Sequence, residues 1–472
     1  MSRDLALLIV AAVFGLGVAM VALAQPSYLP HVPKTTWHWL FWGGLALMLL
    51  MILDVVGIKF WREYTLSASL GNVGILLLCA AVIAFYRPVE DYNEDSASQT
   101  AAALAQLTVL GWTVKPGEKE MLFEVTNQPL PPMDKSAEQF ERVKRPFKLH
   151  FQGVPSLDGL HYLAPLKNCT KIEINASEFM DISELNGFVN LTNLVISQVP
   201  LTGDGTVDAS PLTSLTNLES LSLGNTRVRF AAFLSSLKRL KTLDLGHTLI
   251  ADISSLSGMS NLVSLEIRET RVTELAPLSN DENLEELTIS NEQVPGLKSL
   301  VGLKKLKKVK LIDQRPVDMT PMALLSNLKD VSIWGPTFFD LAPLGRLTKL
   351  QKLSVGGFGF DRGLSEIRNV EALGNLRELK TLVLNSLNVD DIGFTRDLKT
   401  LTELSLIRLP IVSLDSVREL LALKKISLVD VRVVDILPLL DLPNLAELYL
   451  IRVPARADVI AELKRRGVKL SP

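Results

Sequence analysis

The chain has two cysteines in 472 residues, too few to report a redox compartment. Cys79 lies in an apolar run and Cys169 at a core position of a 22-residue repeat, so both read as buried filler. Histidine is scarce as well. Of the five, His150 and His161 fall in neighbouring segments, but no third ligand lies at metal spacing, and His150 reads as pointing outward from its strand. No nucleophile elbow, phosphate loop or HExxH string occurs, and the scattered Ser, Asp and His residues suggest no enclosed constellation. These shortages argue against an enzyme and against a bound cofactor. An excess of one charge is missing too: 49 basic and 51 acidic residues leave a net charge of −2, so nothing suggests a nucleic-acid partner. The cluster Lys304, Lys305, Lys307, Lys308 and Lys310 lacks interleaved aromatics and reads as a solvated face.

Hydrophobic residues, by contrast, make up 47% of the chain, and much of the excess sits in the first 86 residues. Three apolar stretches, 5–24, 39–58 and 69–86, approach the length of about 20 residues that a helix needs to cross a bilayer. Trp37, Trp39 and Trp42 crowd the start of the second, and Trp61 and Tyr64 follow its end, as at a membrane interface. Residues 1–86 therefore read as a multi-pass anchor in the lipid bilayer, of the kind found in a bacterial cell membrane. Arg3, Lys59 and Arg62 on one side against Lys34 and Arg87 on the other favour an extracytoplasmic position for residues 87–472. An alternative treats 1–24 as a signal peptide ending at Ala22-Leu23-Ala24; it places residues 87–472 on the same side. Asp54, about one turn from the end of its span and near Lys59, reads as an interfacial carboxylate rather than part of an ion path.

The C-terminal two-thirds repeats itself. The string LTNLESLSLGNT at 216–227 recurs with substitutions on the frame L-x-x-L-x-L. Its first apolar position falls at Leu191, Leu218, Leu240, Leu262, Leu284, Leu306, Leu328, Leu350, Leu379, Leu401, Leu423 and Leu445, with degenerate copies at Pro146 and Cys169. Ten of the thirteen intervals are 22 residues; the others are 23, 27 and 29. So strict a period means stacked repeats, and moves the functional expectation from chemistry to binding. Frame positions four and six should face the core and their neighbours should face outward, because strand side chains alternate. The Asp-Ile or Asp-Leu pairs, as in DISEL at 181 and DLAPL at 340, suit a turn that starts a short helical segment. Ahead of the repeats, 87–142 reads as a linker and cap: a helix over 98–110, a strand over MLFEVT at 121–126 and a loop over QPLPPM at 128–133. Residues 143–472 are the repeat domain with its own C-terminal cap.

These strings resemble leucine-rich repeats of the 22-residue class found in bacterial internalin-like proteins. The resemblance covers roughly residues 140–470. It implies an α/β solenoid, with a curved parallel β-sheet on the concave face and short helices or turns on the convex face. Three transmembrane α-helices would precede it. It also implies that the concave face binds a protein. The family's asparagine, three residues after the last strand leucine, is replaced by Thr226, Thr248 and Thr270 or by apolar residues, so a weakened ladder with partial threonine substitution is expected there.

The outward position after the last strand leucine changes character along the array. Early copies place Asn175, Ser197, Gly224, Gly246, Arg268 and Ser290 there; later ones place Ile312, Trp334, Gly356, Asn385, Ile407, Val429 and Ile451. An exposed apolar file marks an interface. The candidate binding residues are Ile312, Trp334, Ile407, Val429, Tyr449 and Ile451, with Trp334 as the anchor. Coverage of the file by the chain's own C-terminal or membrane segments is the competing explanation. A structural subunit whose spans make the main partner contacts is the competing function. Two insertions break the period, at 202–210 and 356–369. Asp204 and Asp208 in the first lack a calcium-loop pattern, and the glycines of the second form no dinucleotide fingerprint.

Overall fold

The computed structural model describes residues 94–117, 120–175, 181–197, 206–290, 297–312, 318–335, 338–357 and 363–471. They belong to one compact unit, Asn93–Pro472. The expected membrane spans at 5–24, 39–58 and 69–86 lie outside the described residues. Among the described residues no helix is long and apolar enough to cross a membrane.

The repeats form one sheet of 17 strands, joined almost entirely by parallel pairing between consecutive copies. The 22-residue period is visible as register: Leu221, Leu243, Leu265 and Leu287 are direct partners across four adjacent strands. All four are 1% exposed, and burying each leucine contributes roughly 1.5–3 kcal/mol. Frame position one is buried in the same way, from Leu191 at 0% to Leu445 at 7%. In every copy before the last, a strand of three to seven residues, a turn and a short 3-10 helix complete the repeat.

In seven copies an Asp begins that 3-10 turn, in five of them the Asp of an Asp-Ile or Asp-Leu pair. Asp181, Asp208, Asp252, Asp318, Asp340, Asp391 and Asp435 each accept the backbone N–H two residues on, at 2.8–2.9 Å. The carboxylate thus satisfies a donor that a helix start leaves free.

An asparagine ladder exists, but at the other end of the strand from where it was expected. The Asn immediately before frame position one donates its Nδ2 to a backbone carbonyl of the preceding copy: Asn217 to Val189, Asn261 to Lys238, Asn283 to Ser260, Asn327 to Lys304 and Asn444 to Leu421, at 2.6–2.9 Å. At the expected position Thr226, Thr248 and Thr270 turn back instead, each hydroxyl donating to a carbonyl of its own copy at 2.6–2.8 Å.

The N-terminal lid is larger than expected. Helix α1 (Glu94–Leu110) and strand β1 (Thr113–Lys115) precede β2 (Met121–Thr126), and β1 pairs antiparallel with β2. A second helix, α2 (Met133–Phe140), begins at the end of the segment read as a loop. Trp112 packs edge-on to Phe140 at 5.1 Å and donates its indole N–H to Ser136 at 3.0 Å. Phe140 in turn stacks on Phe147, in the first repeat strand, β3 (Phe147–Gln152), at 4.9 Å. At the other end, α3 (Ala457–Arg465) packs Val459 and Leu463 onto the core. A final strand, Lys469–Ser471, pairs with Glu447–Ile451.

Candidate functional site

Three rows of side chains run across the outward face of the sheet, at frame positions three, five and seven. In the C-terminal half, row seven is continuous in register: Ile312, Trp334, Gly356, Asn385, Ile407, Val429 and Ile451 pair in that order. Ile312, Trp334, Ile407, Val429 and Ile451 are each half-buried, so their strands hold the stems while part of each side chain meets water.

Trp334 lies down along the row. A Cβ at Gly356 would come within 2.4 Å of its ring atom Cζ3, so the glycine leaves the space that the indole fills. The neighbouring outward residues Ser332 and Ser354 are buried.

Tyr449 belongs to a different row from the one in which it was grouped. It pairs with Ser427 and Ser471 at position five, between the apolar row and a charged one. Row three here alternates in sign, Glu403, Lys425, Glu447 and Lys469, with Lys425 paired to Glu447 at 3.3 Å. Between these rows runs a shallow depression of about 330 Å³, floored by Val383, Ser405 and Ser427 and lined by Tyr449, Glu403, Lys425 and Glu447.

The N-terminal half of the same face is polar and internally bonded. Glu124 accepts from His150 Nδ1 at 2.9 Å, and His150 Nε2 meets the Asn175 amide at 3.2 Å. Ser197 donates to Asn175 Oδ1 at 2.6 Å, and Ser222 donates to Asp244 at 2.7 Å. The Lys115 ammonium holds the Glu124 carboxyl below the usual carboxylate range, against partial burial and with help from His150. Burial would raise Glu173, but hydrogen bonds from Lys148 and Asn175 outweigh it and lower its pKa. His150 points outward as read from the sequence; His161 is engaged elsewhere, with Glu184 at 2.6 Å. Among the described residues no group of three His, Cys, Asp or Glu side chains could hold a metal ion.

Other sequence candidates are structural. Lys307 and Lys308 pair with Glu285 and Glu286 of the preceding copy at 2.6 and 3.3 Å, and Lys305 reaches Asn283. Asp208 starts a 3-10 turn; Asp204 lies outside the described residues. Cys169 is buried, which pushes its thiol pKa well up, while Cys79 lies outside the described residues. Asn168 donates its amide to the Val143 carbonyl at 2.9 Å. The charged row three was missed in the sequence, although its 22-residue alternation of Glu and Lys could have shown it.

A family model for leucine-rich repeats, in two copies, matches residues 216–258. No curated protein matches the chain in sequence. Among solved structures, an internalin of Listeria monocytogenes is 28% identical, with a TM-score of 0.54 over 66% of this chain and 88% of its own. A leucine-rich-repeat protein of Leptospira interrogans is 19% identical, with a TM-score of 0.59 over 74% of this chain and 89% of its own. The fold is therefore that of a leucine-rich-repeat solenoid similar to internalin-like proteins.

Proposed function

We propose that this chain is a non-enzymatic recognition protein, held in a membrane by residues 1–86, whose solenoid is presented outside the cytoplasm and binds another protein through its concave sheet face. The observation that carries the reading is the apolar row Ile312, Trp334, Ile407, Val429 and Ile451, in one register and half-buried. Half-buried Ile and Trp on a sheet face cost solubility, and a protein partner that covers them recovers that cost. The depression beside the row gives Tyr449 a place to grip, with Glu403, Lys425 and Glu447 supplying direction through charge. In the polar half Glu124, His150, Asn175 and Asp244 are already engaged in bonds of the chain's own, so they offer less to a partner.

The test uses the full chain in intact membranes, with a photocrosslinker at position 407 and the captured protein identified by mass. Trp334→Asp or Val429→Asp should abolish capture. If capture survives both changes, the partner contacts lie elsewhere, as in a subunit held through its membrane segments. Protease accessibility of the repeats in sealed vesicles tests the sidedness.

A further inference from the structure

Among the described residues, one carboxylic acid breaks the pattern of the core. Three positions before the first leucine of each copy stands an apolar residue in thirteen of the fourteen copies, among them Leu215, Leu237, Met259, Leu303 and Leu325. In the copy at Leu284 that position is Asp281, and it is 0% exposed. Neither carboxyl oxygen has a hydrogen-bond partner.

The turn has not been rebuilt to serve it. The Asp281 N–H bonds the Leu278 carbonyl at 3.0 Å, as Leu237, Met259 and Leu303 bond theirs at 2.9–3.0 Å. The carboxyl is thus held in a leucine slot by a repeat that keeps its ordinary geometry, and an ionised group there lacks the solvation it would have in water. The charges around it come from three copies. Lys238, two copies earlier, is exposed and exerts the attractive field that reaches it. Glu282 beside it and Lys304 on the next copy are both exposed to water.

We propose that Asp281 makes this joint of the solenoid pH-responsive: ionised, it loosens the stack between the copies at Leu262 and Leu284, and protonated, it lets the stack close. The joint lies just before the outward row passes from Ser290 to Ile312, so it couples proton uptake to the junction between the polar and apolar halves of the face.

The direction of the pH effect follows from burial. Burial pushes the Asp281 pKa from 3.8 up to about 6, against the pull of Lys238. The folded joint therefore binds a proton more tightly than the open one. The contribution of Asp281 to its stability is greatest below pH 4, declines as pH rises towards 6 and stays at its lower level above that.

Hydrogen exchange of the full chain, read on the peptide spanning 276–290 and corrected for intrinsic rates, tests this. Going from pH 5.0 to 7.5 should raise the opening equilibrium about tenfold in the natural chain. The rise should vanish in Asp281→Asn, which keeps the shape and removes the charge, and in Asp281→Leu, which should also be better protected at pH 7.5. An equal rise in the natural chain and in Asp281→Asn would overturn the proposal, whether or not Asp281→Leu folds.

Discussion

Leu243 and Trp334 are both large and apolar, yet they sit on opposite sides of the same sheet, and substitutions should separate them. Leu243 is 1% exposed and lies between Leu221 and Leu265 in adjacent strands. Leu243→Ala leaves a cavity and should cost about 2–5 kcal/mol. Because each copy touches only its neighbours, the loss should be confined to nearby repeats, seen as faster hydrogen exchange between 216 and 270 with little change beyond 350. Trp334 instead rests one edge of its ring over Gly356 and leaves part exposed. Trp334→Ala should leave the thermal midpoint within a few degrees of the natural chain, since surface changes typically cost about 0.5 kcal/mol, while capture of the partner falls. Gly356→Ala is the sharper probe. Its added methyl needs the place of the indole, so the ring must lift, and partner capture should fall with Trp334 still present. Unchanged capture by Gly356→Ala would mean that the ring's position along the row is immaterial to binding.

At the scale of the element, the turns before seven of the 3-10 segments depend on a carboxylate. The Ser183, Ser210 and Ser254 backbone N–H groups hold Asp181, Asp208 and Asp252 below the usual carboxylate range. Asp318 is lowered first by the Thr320 side chain, and Asp340 by the Asn369 side chain. A depressed pKa means that the stabilisation is complete above the unfolded value near 4 and is lost as pH falls through the lower folded values. Acidification below pH 4 should therefore loosen the turns together, measured as a fall in the urea midpoint that is shallower when Asp181, Asp252 and Asp318 are replaced by Asn. The same turns show what was legible in the sequence. The leucine spacing fixed the strands, the core positions and the outward row, because side-chain alternation leaves a strand of five residues only one way to face a core. Backbone hydrogen bonds carry no such periodic signal: the asparagine ladder runs through Asn217, Asn261 and Asn283, whose place just before a leucine does not reveal which carbonyl each would reach. Helix α2 was hidden by the prolines in front of it, which suit a helix start as well as a loop. Tyr449 was assigned to the right face and the wrong row, because rows five and seven face the same way and differ only by two residues of register.

For the whole molecule, a stack of repeats is only as secure as its ends. The last full copy leaves Leu445 and Leu448 with no following repeat to cover them. Helix α3, through Val459 and Leu463, and the strand Lys469–Ser471 take that place. The N-terminal end is closed more heavily, by the ring contacts among Trp112, Phe123, Phe140 and Phe147. This asymmetry predicts where the array opens first. Removing residues 456–472 exposes the edge of Glu447–Ile451 and one side of the core, so the copies at Leu423 and Leu445 should lose hydrogen-exchange protection while those before Leu328 keep theirs. Val429, Tyr449 and Ile451 lie in the weakened copies, so the same deletion should also lower partner capture through the apolar row. Trp112→Ala at the opposite end should loosen β2 and β3 yet leave capture intact. If the C-terminal deletion left capture unchanged, the apolar row would no longer be tenable as the binding surface, because two of its members stand on the strands that the missing cap supports.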